Sequence, residues 1–179
     1  MICFLGKEDF SFHNTVVTIG KFDALHIGHK ALIERMKEYK EKGLRSVVFR
    51  LDIPSAQTPV RSETERIDVL EKLGVDIYIR YPFNESVARM SAENFIEKIL
   101  IEKLGIKALI VGEDFRFGHG RLGDAGLLCE YGRKYRFDTV FADKVTVDGR
   151  IVSSSLIREL LQQGEKDKAN ALLGDEGLN

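Results

Sequence analysis

Apolar, β-branched runs recur along the chain at a near-constant interval. They read VVTIG (16–20), SVVFRL (46–51), VDIYIRY (75–81), ALIVG (108–112) and DTVFA (138–142), with starts 29 to 33 residues apart. Between them the apolar positions switch to helical spacing. Leu32, Ile33, Met36 and Tyr39 share a face, and Gly43 supplies a C-terminal stop. Ser62 and Glu65 form a capping box ahead of the stripe Ile67, Leu70 and Leu73, which Gly74 ends. A third stripe is Phe95, Ile96, Ile99, Leu100 and Leu104, followed by Gly105. A fourth helix is predicted from about Asp124 to Lys134, with Leu127, Leu128 and Tyr131 inward. Two more follow, from near Ser154 to about Gln162 and from about Lys166 to Leu173. The longest irregular stretch, RLDIPSAQTPVRSE (50–63), holds two of the three prolines and reads as a functional loop.

Strand and helix alternating in this way build βαβ units. The expectation is an α/β, Rossmann-like, doubly wound domain with a mostly parallel five-stranded sheet and helices on both faces. The near-constant period has no shared residue signature, so a solenoid does not fit. A length of 179 residues suits a single domain over 1–179. The 27 basic and 28 acidic residues nearly cancel, which gives no support for a nucleic-acid or membrane partner. No stretch approaches the ~20 apolar residues of a membrane span. Lys7, Glu8 and Asp9 interrupt the N-terminus, so no signal peptide is expected. Cys3 and Cys129 lie far apart, form no C-x-x-C, and read as free thiols in a reducing compartment. The expected location is the cytoplasm. The oligomeric state stays open.

In an open parallel sheet, ligands bind beyond the carboxyl ends of the strands. GKFDALHIGHK (20–30), RLDIPSAQTPV (50–60), GEDFRFGHGRLGD (112–124) and VSSSLIRE (152–159) all fall there. His26 and His29 are three apart with no acid between them, unlike the H-E-x-x-H of zinc proteases. IGHK also lacks the Ser or Thr and the spaced glycine of a Walker A loop. What remains is a helix start bearing two imidazoles, whose free N–H groups and dipole favour phosphate. Gly20 before the pair and Gly28 within it let backbone approach a ligand. The plain alternative is two histidines that cap and solvate a helix. Ser153, Ser154 and Ser155 open another helix, and Arg158 lies one turn on, which makes a second phosphate cradle. Gly118, Gly120 and Gly123 spell G-x-G-x-x-G, but six residues past the strand end rather than at the strand–helix turn. That stretch reads as a flexible loop over a ligand, with Asp114, Arg116 and Arg121 as candidate contacts. For the arginines the plain alternative is a solvated surface.

Together these stretches resemble the bacterial FAD synthetase family, the FMN adenylyltransferase module of bifunctional riboflavin kinase/FAD synthetases. GKFDALHIGHK is similar to its G-x-F-D-G-V-H-x-G-H motif, VGEDFRFGHGRLGD to its second signature, and VSSSLIRELLQQG to its I-S-S-T-x-I-R segment. DKANALLGDE (167–176) is similar to its closing segment. The double histidine marks only the wider nucleotidyltransferase superfamily; D-F-R-F-G is more specific. The resemblance implies transfer of AMP from ATP to FMN, giving FAD and pyrophosphate, with Mg²⁺ through ligands that remain unknown. It implies His26, His29, Ser154 and Arg158 as the catalytic set. Gly20, Phe22, Asp23, Gly28, Ser153 and Ser155 would bind ATP. Asp114, Phe115, Asp52 and Pro54 would face the flavin or adenine. Lys21 stands where the family often has Asn, Ala24–Leu25 replace Gly–Val, and Ser155 replaces Thr. FRLDIP (49–54) stands where the family usually shows F-x-P-H-P, and no histidine occurs between His29 and His119. The chain ends where the family continues into a riboflavin kinase barrel, so no phosphorylation of riboflavin is expected. Two alternatives stand beside this reading. One is a related nucleotidyltransferase with another phosphorylated acceptor, and the other is a non-catalytic nucleotide- or flavin-binding module.

Overall fold

The computed structural model describes residues 1–6 and 9–174. Lys7 and Glu8, used in reading the N-terminus, and Asp175 and Glu176 of the closing segment lie outside the described residues. The chain forms β1 (Ile2–Leu5), β2 (Thr15–Gly20), α1 (Ile27–Glu41), β3 (Arg45–Asp52), α2 (Glu63–Lys72) and β4 (Ile77–Pro82). Two short helices, α3 (Glu85–Ala88) and α4 (Ala92–Asn94), lead into a π-helical segment, Phe95–Lys103. Then come β5 (Ile106–Gly112), α5 (Ala125–Tyr135), β6 (Asp138–Ala142), the hairpin β7 (Thr146–Val147) and β8 (Arg150–Ile151), α6 (Ser154–Gln162) and α7 (Lys166–Leu173).

The main sheet has six strands in the order β1-β4-β3-β2-β5-β6, and every neighbouring pair is parallel. This corrects the expected count of five. The strand that periodicity missed is β1, a four-residue edge strand with two exposed apolar residues, Ile2 and Leu5, and no alternating burial to betray it. It runs parallel to β4, with Ile2 opposite Ile77.

Period-two alternation divides the core into two layers. Val17, Ile19, Val47, Phe49, Ile77, Ile79 and Leu109 face the π-helical segment and α5. Val16, Val48, Tyr78, Ala108 and Ile110 face α1 and α2 through Ile33, Met36 and Leu70. A third cluster joins α6 and α7 to the loop after β2 through Ala24, Leu156, Ile157, Leu160 and Leu173. The third predicted stripe is buried, but its backbone bonds run i to i+5, as in Leu104 N–H to Ile99 C=O at 2.9 Å.

The chain steps from β2 through β3 to β4 on one side, then crosses to β5 on the other side of β2. The strand order therefore reverses at β2, and the crevice at the carboxyl ends of β2 and β5 is the expected ligand position. At the opposite end of the sheet, Gly105 takes φ +54°, and a Cβ there would lie 2.3 Å from the Phe12 carbonyl oxygen. Gly105→Ala should cost at least about 2 kcal/mol in urea unfolding. Gly43→Ala, at φ +87° with nothing within 4 Å, should cost about 1 kcal/mol. Equal losses at the two positions would contradict the packing account.

Candidate nucleotide and phosphate site

The loop after β2 has a backbone that its residues do not prefer. Phe22 (φ 45°) and Leu25 (φ 49°) are left-handed, and both are fully buried. Such residues persist only where their surroundings over-determine them. Here four consecutive carbonyls are held by three guanidinium groups. Arg50 Nε donates to Lys21 O (3.0 Å), Arg66 Nε to Phe22 O (2.9 Å), Arg66 Nη2 to Asp23 O (3.3 Å) and Arg61 Nε to Ala24 O (2.8 Å). Arg61 and Arg66 are 3% and 1% exposed, so their charge needs compensation. Glu63 supplies it. Its carboxylate accepts from Arg66 Nη1 (2.8 Å), Arg50 Nη1 (3.4 Å) and the Tyr78 hydroxyl (2.7 Å). Burial, with the bond to Glu63, pushes the Tyr78 hydroxyl well above its ordinary pKa, so it stays a donor.

His26 is the N-cap of α1. Its Nδ1 accepts from the His29 N–H at 3.4 Å, which leaves the ring proton on Nε2. The two imidazoles stack at 3.8 Å between centroids, and Phe22 packs on His29 at 4.8 Å. Gly28 makes the stack possible, because a Cβ there would lie 3.1 Å from two atoms of the His26 ring. Burial lowers His26 to about 4. Burial and the neighbouring His26 hold His29 well below its ordinary value. Both rings are therefore neutral at pH 7. His29 Nδ1 is buried and has no hydrogen-bond partner among the described residues.

Beside this helix start lies an open cavity of about 430 Å³. Its walls include Lys21, Asp23, Arg50, Asp52, Pro54, Ser154, Ser155 and Arg158. Asp23 ties the walls together. Its carboxylate accepts from Arg158 Nη2 (2.5 Å) and from the Val60 N–H (3.3 Å), and Arg158 Nε donates to Thr58 O (3.3 Å). Ser153 Oγ caps α6 by accepting from the Leu156 N–H at 3.2 Å. Ser154 and Ser155 then stand on the first turn of α6, facing the cavity.

The structure thus brings Asp23, Asp52, Pro54, Ser154, Ser155 and Arg158 to one cavity. His26 and His29 are not on its wall; they join it along the chain through Asp23. Gly20 ends β2, and Gly28 sits in the first turn of α1. Asp114 and Phe115 do not line the cavity. Asp114 pairs with Lys144 at 2.9 Å, and Phe115 stacks on Phe117 at 5.5 Å. The glycine loop is stitched down rather than free. His119 N–H donates to Met90 O (2.7 Å), and a Cβ on Gly118 would lie 2.6 Å from the Ala92 backbone. Gly118 and Gly123 permit close packing of the loop on Ala92 of α4. Of the loop's arginines, Arg116 lies 3.7 Å from Asp124, and Arg121 is exposed.

Sequence reasoning missed Arg61, Glu63 and Arg66. The visible signal was the capping box Ser62–Glu65, which is present with both of its bonds. It located the helix but not the inward turn of its charged residues. Among the described residues no group of three His, Cys, Asp or Glu converges as a metal site, and no helix is long and apolar enough to cross a membrane.

The loop after β2, which leads into α1 and its stacked histidine pair, shares a cavity with the N-terminal turn of α6 beyond the carboxyl ends of β2 and β3, where parallel α/β folds bind ligands. The chain belongs to the FAD synthetase family, whose model matches residues 9–156. It is 36% identical over 171 residues to a bifunctional riboflavin kinase/FMN adenylyltransferase of Buchnera aphidicola, covering 90% of this chain and 55% of that protein. The Escherichia coli K12 relative of the same description is 35% identical over 168 residues, covering 89% and 54%. A putative bifunctional riboflavin kinase/FMN adenylyltransferase of Geobacillus thermodenitrificans is 32% identical over 174 residues, covering 94% of each. The chain spans about half the length of the first two. Among solved structures, a macrolide-efflux protein from Streptococcus pneumoniae superposes with a TM-score of 0.84 at 23% identity, over 97% of this chain and 59% of that one. That likeness carries the fold alone.

The buried neutral histidines make stability depend on pH. Below pH 6.5 the unfolded chain binds protons that the native rings refuse, so stability is full above that value and falls as pH drops toward 4. For His26 alone the loss between pH 7.5 and 5 is about 2 kcal/mol. Urea unfolding at the two pH values should show a steeper loss in the wild type than in His26→Gln. Parallel losses would contradict neutral burial.

Proposed function

We propose that this chain is an FMN adenylyltransferase: it transfers AMP from ATP to the phosphate of FMN, giving FAD and pyrophosphate. The observation that carries the reading is the cavity that the loop after β2 shares with the N-terminal turn of α6, joined by the Asp23–Arg158 pair, in a chain of the FAD synthetase family. The reaction needs no covalent intermediate. An FMN phosphate oxygen attacks the α-phosphorus of ATP in line as the bond to the pyrophosphate oxygen breaks. What the protein must supply is alignment of the two substrates and donors aimed at the growing charge on the leaving group.

His26, His29, Ser154 and Arg158 are the proposed donors. The His26 ring has its proton on Nε2, and neutral imidazoles near phosphate add hydrogen bonds without the desolvation cost of a buried cation. Ser153 holds the turn of α6 from which Ser154 and Ser155 project. Gly20, Phe22, Asp23 and Gly28 shape the nucleotide side, and Asp52 and Pro54 the acceptor side. Asp114 and Phe115, on the loop after β5, are the proposed flavin or adenine contacts beyond the cavity wall. Among the described residues the acidic side chains form no cage for a metal, and Mg²⁺ would enter bound to the phosphates of ATP. The proposed unit is one nucleotidyltransferase domain working on small molecules.

A second reading is favoured by one observation. Lys21, Asp52 and Ile53, which depart from the family pattern, all line the cavity. A different phosphorylated acceptor would use that wall. The test is to incubate the protein with ATP and Mg²⁺ and either FMN or riboflavin, to follow pyrophosphate, and to separate the flavins by chromatography. FAD from FMN alone is the expected result. Pyrophosphate release with another phosphorylated acceptor, and none with FMN, would favour the second reading. Nucleotide binding with no turnover on any acceptor would mark a binding module. In the active enzyme, His29→Ala should lower kcat on the order of 10²-fold. A rate within threefold of wild type would remove His29 from the donor set.

A further inference from the structure

The cavity has three cationic side chains on its wall, and two of them are already engaged. Arg50 donates to Lys21 O and lies against Glu63 (3.4 Å) and Asp52 (3.2 Å). Arg158 is held by Asp23 and Thr58 O. The third, Lys21, is exposed, and its ammonium has no hydrogen-bond or ion-pair partner among the described residues. Its position is nonetheless fixed. The residue before it, Gly20, pairs in register with Arg50, and its own carbonyl is bound by the same arginine. A free cation on a clamped backbone, at the carboxyl end of the strand where the sheet order reverses, is placed for an anion.

We propose that Lys21 is the residue that recognises the acceptor's phosphate monoester. The inference rests on the adenylyl-transfer reading above, and it assigns the attacking phosphate, rather than the ATP chain, to this side chain. Two arguments support that assignment. First, Ser154, Ser155 and Arg158 of α6 already offer hydroxyls and a guanidinium to a polyphosphate on the cavity wall, whereas Lys21 belongs to the loop after β2, beside Arg50, which binds its carbonyl. Second, two anions must be brought together for the reaction. A dianionic acceptor approaching a polyphosphate is repelled, and a point charge with three rotatable donors offsets that repulsion without dictating one geometry. Lys21 also discriminates. A flavin without its phosphate offers it nothing, so the side chain selects the phosphorylated acceptor over the free alcohol.

The experiment compares wild type, Lys21→Gln and Lys21→Arg. Each protein is titrated with FMN and with riboflavin by flavin fluorescence without nucleotide, and KM is measured for FMN and for ATP. Because the fold uses the Lys21 carbonyl and not its ammonium, Lys21→Gln should keep the wild-type melting temperature. It should weaken FMN binding about tenfold or more and raise KM for FMN in step. Riboflavin affinity and KM for ATP should stay unchanged, and Lys21→Arg should restore most of the FMN affinity. Added salt should weaken FMN binding in the wild type more than in Lys21→Gln. Unchanged FMN affinity in Lys21→Gln, an equal loss for riboflavin, or a rise confined to KM for ATP would each overturn the assignment. If the wild type makes no FAD yet prefers FMN to riboflavin only while Lys21 is present, the phosphate site stands and the adenylyl-transfer reading falls. If FAD forms equally well without Lys21, the reverse holds.

Discussion

Everything at the ligand-binding end of this sheet depends on how four successive carbonyls, Lys21 to Ala24, are held. Left alone, Phe22 and Leu25 would leave the left-handed region, at a gain of roughly 1–2 kcal/mol each. Guanidinium groups from β3, from the loop before α2 and from α2 itself prevent this by binding the carbonyls from behind. The consequence is that Asp23 points toward Arg158, and the chain enters α1 with His26 at the cap. The clamp itself relies on one carboxylate. Glu63 gathers Arg66, Arg50 and the Tyr78 hydroxyl, so two strands and a helix are tied to the same loop. A buried guanidinium with each of its three nitrogens donating to a carbonyl or a carboxylate, as in Arg66, is rigid in a way that a lysine there would not be.

The histidine pair shows the same economy of charge. A positive imidazolium at a helix N-terminus would oppose the helix dipole. Burial between Phe22, the stacked partner ring and the α1 backbone keeps both rings neutral. The site therefore presents N–H dipoles near α1 and keeps its cations, Lys21 and Arg158, on the cavity wall. The far end of the chain also bears on α1. Lys30 Nζ donates to Gly174 O at 2.9 Å, and a Cβ on Gly174 would lie 2.6 Å from Ile27. The end of α7 thus closes on the first turn of the helix that carries the histidines.

Much of this was legible in the sequence because burial leaves a period. Five strands and the main helices followed from apolar spacing, and the capping box fixed the start of α2 to the residue. The edge strand β1 was not legible, since Ile2, Cys3 and Leu5 are exposed and no alternation marks them. The histidine pair could be read as a helix start. Its stacking could not be read, because that depends on the absent side chain of Gly28. Arg61 and Arg66 were not legible as a clamp, because a buried charge is spelled with the same letters as a solvated one. The glycines at 118, 120 and 123 misled toward a mobile loop. Gly118 and Gly123 serve close contact with Ala92 and Phe117, a tertiary fact with no local signature.

The most consequential feature for turnover is the pair that Asp23 makes with Arg158. Both side chains are mostly buried, and the pair also fixes the loop at Thr58 and Val60. In the proposed reaction Arg158 serves a phosphate, so it must either share its remaining N–H groups or leave Asp23. Leaving would strand a carboxylate at 16% exposure beside incoming anions. Sharing needs no such step. Arg158 uses Nε on Thr58 O and Nη2 on Asp23, and no bond from Nη1 lies among its hydrogen bonds to the described residues. A guanidinium has five donors in a fixed fork, so two can hold the loop while others turn to phosphate. On this argument Asp23 orients the arginine and does not compete with the substrate, and the resting ion pair is already the working geometry.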